Sequence, residues 1–343
     1  MKQVIEVKRE GKTPSRVVIG DVIHALDGYL PEGSRVIIIT DSNIHRRYKE
    51  IINRYEYLLI GLGETSKTLV TVSKLYDELL NLNADRSTFI LGIGGGIVTD
   101  IAGFVASTYM RGLPFGFVAT TLLAQVDASV GGKNGVNLEG YKNMIGTFNQ
   151  PDFVLCDLSL LDTLPEREFR AGLAEIIKAG LIADRGLFEL FEQHTLEEFR
   201  HDRVLLLEAV TRAIRVKADI VARDEKERGD RRKLNLGHTF AHAIEKSSRD
   251  FLHGEAVAIG TVMIGRLSAR LGGVTEAEAE RVRQVFERMG LPVDSGIELR
   301  KLLKALKHDK KKEATSVNFV LMKGLGDCEV KPFTFEEIDT LTL

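Results

Sequence analysis

The segment FILGIGGGIVTD, residues 89–100, decides the fold class of this chain. A short apolar run leads into glycines and then into a stretch with helical spacing, so the segment predicts a strand, a glycine turn and a helix. Backbone N–H groups at the start of such a helix can approach a pyrophosphate. The G-x-G-x-x-G pattern that begins at Gly92 fails at Ile97, so a tight turn without a ligand remains an alternative.

Apolar runs alternate with helical stretches throughout the first half of the chain. Because strands separated by helices pair in parallel, this order predicts a parallel sheet with helices on its faces. Such a sheet binds ligands beyond the carboxyl ends of its strands, where Asp41, Asn43, Glu64 and Lys67 follow the first two runs. The predicted strands are residues 36–40, 57–60, 89–93, 115–120 and 153–157.

After residue 164 the sequence changes to long stretches of helical periodicity. Thr275 followed by Glu278 predicts a capped helix start, and a hairpin is predicted near the end of the chain. The predicted fold class is an α/β domain with a parallel sheet, residues 1–164, followed by a mainly α-helical domain, residues 165–343. The other predicted helices are residues 166–182, 204–223, 238–247 and 256–271, and the hairpin strands are residues 316–322 and 328–333.

The composition is that of a globular protein without a strong charge bias. The 343 residues are 44% hydrophobic and 28% charged with a formal net charge of -2, which favours a small acidic ligand over nucleic acid or a membrane surface. Cys156 and Cys328 lack the spacing of a disulfide framework or a thiolate metal site. The N-terminus is unlike a signal peptide, and no apolar stretch is long enough to span a bilayer, so a cytoplasmic protein is expected.

The segment LNLGHTFAHAIEKSSRDFLHGE, residues 234–255, contains three of the eight histidines. His238 and His242 lie four residues apart on one predicted helix face, and His253 follows after a short turn, a pattern typical of a divalent metal site. A polar stripe on an amphipathic helix is the alternative.

Glu175 lies inside the apolar run of the helix predicted at residues 166–182. Burial of an unpaired carboxylate costs several kcal/mol, a cost that a metal ion would remove. Lys178, one turn later, could form a buried ion pair with Glu175 instead, so both interpretations stay open.

Polar residues outside these segments indicate a pocket. Asp127, Lys133, Asn137, Lys142 and Asn143 lie among glycines and small residues, a composition poor for a core. In the helical half, Lys217 and the run that contains Glu227, Arg231 and Arg232 precede the histidines. A solvated loop charge is the competing interpretation for each of the lysines, and it is the interpretation that the sequence alone favours for the charged run in the helical half.

Six ordered blocks together resemble the 3-dehydroquinate synthases, a family of sugar phosphate cyclases. The resemblance implies a two-domain enzyme, with an NAD-binding α/β domain followed by an α-helical metal and substrate domain. It also implies a cytosolic homodimer that acts on a small acidic sugar phosphate. The blocks are GGGIVTDIAGFVASTYMRG, TTLLAQVDASVGGKNGVN, KNMIG, LPEREFRAGLAEIIK, LNLGHTFAHAIE and LHGEAVAIG.

The resemblance also implies roles for individual residues. Glu175, His238 and His253 match the ligands of a catalytic Zn²⁺ or Co²⁺, and His242 matches a position beside the substrate. The matches to NAD-binding positions are Asp41, Asn43, Glu64, Lys67, Gly94, Gly95, Gly96, Asp100, Thr120, Thr121, Lys133, Lys142 and Thr163. The matches to catalytic and substrate-binding positions are Arg111, Asp127, Lys133, Lys142, Asn143, Lys178, Lys217, Glu227, Arg231, Asn235 and Lys310.

The implied reaction converts 3-deoxy-D-arabino-heptulosonate 7-phosphate into 3-dehydroquinate and phosphate through a transient oxidation by NAD. Thr99 and Asn134 depart from the usual glycine and threonine of the family, which leaves a sibling cyclase with another sugar phosphate as an alternative. Asn235 and His242 favour the carboxylated substrate, because valiolone-forming siblings tend to lack both. Two further protein classes compete with a cyclase: a metal-dependent alcohol or glycerol dehydrogenase, and a non-catalytic binding protein for NAD and an acidic metabolite.

Overall fold

The apolar runs of the first half form the strands of one sheet. The structure, a computed structural model, describes residues 2–9, 12–310 and 316–341. The chain divides into two compact units, Met1–Leu164 and Pro165–Leu343. The strands of the first unit are β1 (Lys2–Arg9), β2 (Lys12–Gly20), β3 (Val36–Asp41), β4 (Glu56–Ile60), β5 (Phe89–Gly94), β6 (Phe115–Ala119), β7 (Lys133–Leu138), β8 (Tyr141–Phe148) and β9 (Phe153–Asp157), and its helices are α1 (Ser42–Arg47), α2 (Lys49–Ile52), α3 (Leu69–Asn81) and α4 (Gly96–Thr108).

Within the described residues, the main sheet has seven strands in the order β1-β2-β9-β6-β5-β3-β4. Strand β1 runs antiparallel to its neighbour, β2, and the other described pairs of neighbours are parallel. Every residue of β5, β6 and β9 is buried, as expected for strands covered on both faces. The predicted parallel α/β fold is therefore confirmed.

Strand order reverses between β3 and β5. The chain passes from β3 to β4 on one side of β3 and returns to β5 on its other side. Such a switch point opens a crevice beyond the carboxyl ends of the two central strands, which is where open α/β sheets bind ligands. The fold therefore places the ends of β3 and β5, at Asp41 and Gly94, in the position for a ligand.

Two hairpins of this unit were not predicted. The charged N-terminal residues form β1, which pairs with β2 at the sheet edge. The glycine-rich segment interpreted as a polar pocket forms the separate hairpin of β7 and β8, with Lys133 opposite Phe148. Its glycines obscured the two-residue alternation by which a strand is recognised.

The second unit is mainly helical, as predicted. Thr275 and Glu278 form the predicted capping box, in which the Thr275 hydroxyl accepts from the Glu278 N–H at 3.1 Å. The late hairpin is also present. The elements of this unit are α5 (Glu166–Ala183), α6 (Arg185–Gln193), α7 (Leu196–His201), α8 (Arg203–Arg223), α9 (His238–Ser247), α10 (His253–Arg270), α11 (Glu276–Arg288), α12 (Leu299–Lys310), β10 (Ser316–Gly324), β11 (Asp327–Thr334) and α13 (Phe335–Asp339).

The helix α10 begins earlier than predicted. His253 is its first residue rather than part of a preceding turn, because the Glu255 carboxylate accepts from the Leu252 N–H at 2.8 Å and caps the helix start. Cys156 and Cys328 are buried free thiols. Among the described residues, no helix combines the length and apolarity needed to cross a membrane.

Candidate active site

Glu175 lies in the middle of α5, where both the carboxylate and the nearby Lys178 ammonium are almost fully buried. Lys178 Nζ forms an ion pair with Glu175 Oε2. The other carboxylate oxygen, Oε1, lies 3.4 Å from His253 Nε2 and 3.8 Å from His238 Nε2. The ion pair and the convergence with histidines, which competed as interpretations of the sequence, therefore occur together.

The three side chains Glu175, His238 and His253 form a compact cluster. One ligand atom from each lies within 4.8 Å of the other two. His238 Nδ1 lies 3.1 Å from the Leu236 carbonyl oxygen, and His253 Nδ1 lies 3.1 Å from Glu245 Oε1. A ring whose Nδ1–H is donated outward presents an unprotonated Nε2 to the cluster. Two imidazoles and a carboxylate are the donor set of catalytic zinc sites with an open fourth position, so these residues fit Zn²⁺ or Co²⁺.

Two glycines of α10 allow this convergence. A Cβ atom at Gly254 would lie 1.9 Å from the Ala171 carbonyl oxygen, so α10 packs directly on α5 one turn before Glu175. A Cβ atom at Gly260 would lie 2.2 Å from the carbonyl oxygen of Gly237, the residue before His238. Gly237 itself has φ 78°, a left-handed conformation that favours glycine. These close approaches bring α5, α9 and α10 together at the cluster.

Burial and neighbouring charges shift the pKa values of His238 and His253 in opposite directions. Burial, together with the nearby Lys178 ammonium, lowers the pKa of His238 to about 3. Burial also opposes the charged form of His253, but hydrogen bonds to Glu175 and Glu245 outweigh it and raise the pKa to about 9. Without a metal, His238 is neutral and His253 is the cation between two carboxylates.

His242 lies beside this cluster. It is exposed on α9, one turn after His238, with the two ring centres 5.7 Å apart. The ligand-atom cluster itself consists of Glu175, His238 and His253. The helical spacing of the histidine pair therefore placed both rings on one side of the helix without identifying which of them joins the carboxylate.

Other predicted residues of this unit surround α5. Lys217 on α8 and Arg231, in the short helical turn Asp230–Asn235, are buried, and both elements pack on α5. Asn235 Nδ2 donates to Glu227 Oε1 at 2.6 Å. The side chain of Lys310, the last residue of α12, lies outside the described part of the chain.

In the first unit, the predicted cofactor residues follow the carboxyl ends of five neighbouring strands. Helix α4 begins directly after the glycine loop, with Gly95 as its N-cap. The Thr120 hydroxyl is buried and has no hydrogen-bond partner among the described residues. These groups lie at the end of β3 or after it (Asp41, Asn43), after β4 (Glu64, Lys67), at the end of β5 or after it (Gly94, Gly95, Gly96, Asp100), after β6 (Thr120, Thr121) and after β9 (Thr163), whereas Lys133 and Lys142 lie on β7 and β8.

A polar network connects the loop after β4 and helix α4 with the β7–β8 hairpin. Lys67 Nζ donates to Asp100 Oδ2 at 2.5 Å and to Asn143 Oδ1 at 2.6 Å. Asn137 Nδ2 donates to Glu64 Oε1 at 2.7 Å, and Asn137 Oδ1 accepts from the Asn143 N–H at 2.8 Å. Burial raises the pKa of Asp100 to about 6, although Lys67 opposes the shift.

Several predicted residues of this unit have local structural partners. Asp41 Oδ1 accepts from the N–H groups of Asn43 and Ile44 and caps α1. Thr163 Oγ1 lies 3.1 Å from the Tyr48 hydroxyl. Arg111, with φ 70°, and Lys133 and Lys142 on the hairpin are exposed, and Asp127 lies in the helical turn Ala124–Ala128.

The two departures from the family pattern are accommodated by hydrogen bonds. The buried Thr99 hydroxyl donates to the Gly96 carbonyl at 3.1 Å within the first turn of α4. Asn134 Nδ2 donates to the Asn149 carbonyl at 2.8 Å, and a Cβ atom at Gly103 would lie 2.0 Å from Asn134 Oδ1. Both residues therefore act in local packing of the first unit.

Sequence reasoning missed Glu245. It lies on α9 seven residues after His238 and three after His242, so the helical period already placed it on the same face. Asn137 was noted as a polar residue but was given no role. Its contacts depend on how the hairpin folds back, which local sequence does not show.

Comparison with known proteins agrees with this architecture. Residues 57–171 match the family described as 3-dehydroquinate synthase N-terminal, and residues 172–312 match 3-dehydroquinate synthase C-terminal. The 3-dehydroquinate synthase of Thermoanaerobacter pseudethanolicus is 43% identical over 316 residues, which cover 89% of each chain.

Two solved structures of sugar phosphate cyclases share the fold. The 2-epi-5-epi-valiolone synthase of Streptomyces hygroscopicus, with NAD⁺ and Zn²⁺ bound, is 30% identical, with a TM-score of 0.86 over 98% of this chain and 97% of that one. A 2-deoxy-scyllo-inosose synthase, complexed with carbaglucose-6-phosphate, NAD⁺ and Co²⁺, is 25% identical, with a TM-score of 0.85 over 98% of both chains. Given the two family matches and the relative at 43% identity, the chain belongs to the 3-dehydroquinate synthase family.

Proposed function

We propose that this chain is a phosphate-eliminating lyase that converts 3-deoxy-D-arabino-heptulosonate 7-phosphate into 3-dehydroquinate and phosphate. The observation that carries the proposal is the buried cluster of Glu175, His238 and His253 with Lys178 beside it, in a member of this family. The reaction has no net redox change: a hydride leaves C5 of the sugar, phosphate is eliminated, the hydride returns, and an intramolecular aldol addition closes the carbocycle.

Side chains of the second unit are proposed to bind the metal and the acidic groups of the substrate. When bound, Zn²⁺ or Co²⁺ lowers the proton affinity of the substrate hydroxyls, and NAD accepts and returns the hydride. His238 and His253 would hold the metal through Nε2, and Glu175 would hold it through its carboxylate. Lys178, Lys217 and Arg231 place positive charge around α5, which binds the substrate's acidic groups and stabilises the charge that collects on the leaving phosphate.

The first unit is proposed to bind NAD at the carboxyl ends of its parallel strands. Support comes from the start of α4 at Gly96, where free N–H groups favour a pyrophosphate, and from the buried hydroxyl of Thr120. The network of Glu64, Lys67 and Asp100 supplies groups for the rest of the cofactor. Asp127, Lys133, Lys142, Asn143 and Arg111 are assigned to the substrate by family resemblance.

Substrate preference is assigned from Asn235 and His242. Asn235 hydrogen-bonds to Glu227, and His242 lies exposed beside His238. The buried cations Lys217 and Arg231 are proposed to pair with the substrate's carboxylate. A substrate without that carboxylate would lose this pairing, which costs about 1–3 kcal/mol for a neutral polar group and more for a charged one. We therefore propose a preference for the carboxylated heptulosonate over sedoheptulose 7-phosphate.

We also infer a homodimer in the cytoplasm. Leu138, Tyr141, Met144 and Phe148 are exposed on the β7–β8 hairpin, and exposed large apolar side chains on one element favour a protein contact. The two cysteines are free thiols, as is usual in a reducing compartment. Sedimentation equilibrium of the purified chain tests the dimer.

The function is tested by incubating the chain with zinc, catalytic NAD and each sugar phosphate, while phosphate and NADH are recorded. We expect phosphate release from the heptulosonate without accumulation of NADH. Equal or faster release from sedoheptulose 7-phosphate would assign the chain to a sibling cyclase activity. Stoichiometric NADH would indicate a dehydrogenase, and binding without phosphate release would indicate a non-catalytic protein.

A further inference from the structure

The imidazole of His253 lies between two carboxylates. Its Nε2 is 3.4 Å from Glu175 Oε1 in the cluster, and its Nδ1 is 3.1 Å from Glu245 Oε1 on the opposite side. The Glu245 side chain is 8% exposed, so water does not screen this contact strongly. We propose that Glu245 is a positioning residue of the metal centre, which holds His253 in the orientation and tautomer that present Nε2 to the metal.

The proposal follows from the two nitrogens of the ring. An imidazole that donates Nδ1–H to an acceptor has its lone pair on Nε2, and a carboxylate fixes this arrangement more firmly than a neutral acceptor because it also stabilises positive charge on the ring. His238 is held instead by the carbonyl oxygen of Leu236. Of these two histidines, His253 is therefore the one whose orientation depends on a side chain that can be substituted.

The position of Glu245 in the fold gives the contact a second consequence. Glu245 lies in the third turn of α9, and His253 begins α10 after the connection at residues 248–252. Helix α9 also contains His238, so one helix supplies a metal ligand and the partner of another ligand. The competing explanation is that the Glu245–His253 contact only holds the connection between α9 and α10 in place. In that case the Glu245 variants would lower the free energy of unfolding without changing the zinc affinity.

The test compares Glu245→Gln and Glu245→Ala with a control, Glu192→Gln. Glu192 is a half-buried carboxylate of α6, a helix that carries none of the three cluster residues, and its two oxygens accept from Nε and Nη2 of Arg281 at 2.7 Å each. Glutamine at 245 keeps the size and an acceptor oxygen but removes the charge. Zinc affinity is measured by competition with a chromophoric chelator, the visible spectrum is recorded with Co²⁺, and unfolding of the metal-free proteins is followed in urea.

We expect Glu245→Ala to weaken zinc binding by about 10–100-fold and Glu245→Gln by about tenfold, the range found when partners of metal-bound histidines are removed. Both should change the Co²⁺ spectrum, whereas Glu192→Gln should leave zinc affinity and the spectrum as in the wild type. Wild-type zinc affinity in both Glu245 variants, or equal weakening in Glu192→Gln, would overturn the proposal.

This inference rests on the proposed metal ligands and not on the substrate. If the wild type binds zinc but releases no phosphate from either sugar, the proposed function fails and the role of Glu245 stands. If His253→Ala keeps wild-type zinc affinity, the ligand assignment itself is wrong, and the role of Glu245 is overturned with it.

Discussion

Gly254 and Ala171 are in backbone contact: a Cβ atom at residue 254 would lie 1.9 Å from the Ala171 carbonyl oxygen and 2.6 Å from its carbonyl carbon. Ala171 is one turn before Glu175 on α5, and Gly254 directly follows His253 on α10. The distance between two proposed metal ligands is therefore set by a glycine that has no chemical role. Neither backbone atom of Ala171 can move aside as a flexible side chain would.

The first prediction concerns Gly254→Ala. The added methyl group must push α10 away from α5, which should destabilise the fold by about 1–3 kcal/mol and separate His253 from Glu175. Zinc retained after dialysis and urea unfolding measure the two effects. Gly265→Ala on the same helix is the control, because its Cβ would meet nothing closer than 3.9 Å. That variant should be more stable by roughly 0.5–1 kcal/mol and keep its zinc, and zinc retention in Gly254→Ala would contradict the packing argument.

The second prediction separates the two histidines next to His238. His253→Ala removes one of three ligands and should lose bound zinc and activity. His242→Ala should retain zinc, because His242 is exposed and the ligand cluster consists of three other residues. Zinc content by atomic absorption after gel filtration decides between them. Equal zinc loss in both variants would show that His242 is a ligand.

Sequence patterns predicted the elements but not the contacts between them. The strands β3, β5, β6 and β9 were visible as apolar runs because they are buried on both faces, and Thr275 and Glu278 marked a helix start through local hydrogen bonds. The hairpin of β7 and β8 escaped because glycines interrupt its alternation. The close approach of Gly254 to Ala171 is between residues distant in sequence, so no local pattern encodes it.

In the candidate site too, local sequence patterns indicated the residue types but not the contacts between elements. The donor types of Glu175, His238 and His253 suggested a metal, and the resemblance to the family separated His253 from His242. The second contact of His253, with Glu245, depends on the angle between α9 and α10, which helical periodicity alone does not give.

The third prediction uses Asp100. Its pKa is raised from 3.8 to about 6 because burial disfavours the carboxylate, with Lys67 opposing the shift. The folded state therefore binds the proton more tightly than the unfolded state, and stability falls as pH rises through this range. Relative to the wild type, Asp100→Asn should gain about 3 kcal/mol in free energy of unfolding between about pH 4 and about pH 7. Urea unfolding at a series of pH values measures this gain. A difference in free energy of unfolding that does not change with pH would show that burial does not raise the pKa of Asp100.

The last prediction concerns Asn137, which joins the β7–β8 hairpin to the loop after β4. Its backbone N–H donates to the Lys67 carbonyl at 2.9 Å, and its side chain bridges Glu64 and the Asn143 N–H. Asn137→Ala removes two side-chain hydrogen bonds, each about 0.5–1.5 kcal/mol, and should weaken NAD binding by about tenfold because Glu64 and Asn143 lose their fixed positions. Asn137→Asp should weaken it more, since the new carboxylate faces Glu64.

Titration calorimetry with NAD measures both variants, and Asn149→Ala is their control. The Asn149 side chain donates to the Ser107 hydroxyl at 3.0 Å just beyond the end of β8, so its removal costs a hydrogen bond of the same kind without touching Glu64 or Asn143. We expect Asn149→Ala to bind NAD as the wild type does. If Asn137→Asp binds NAD more tightly than Asn137→Ala, repulsion from Glu64 is not the controlling factor, and the hairpin contact instead acts through Asn143, whose N–H an aspartate at residue 137 would still accept.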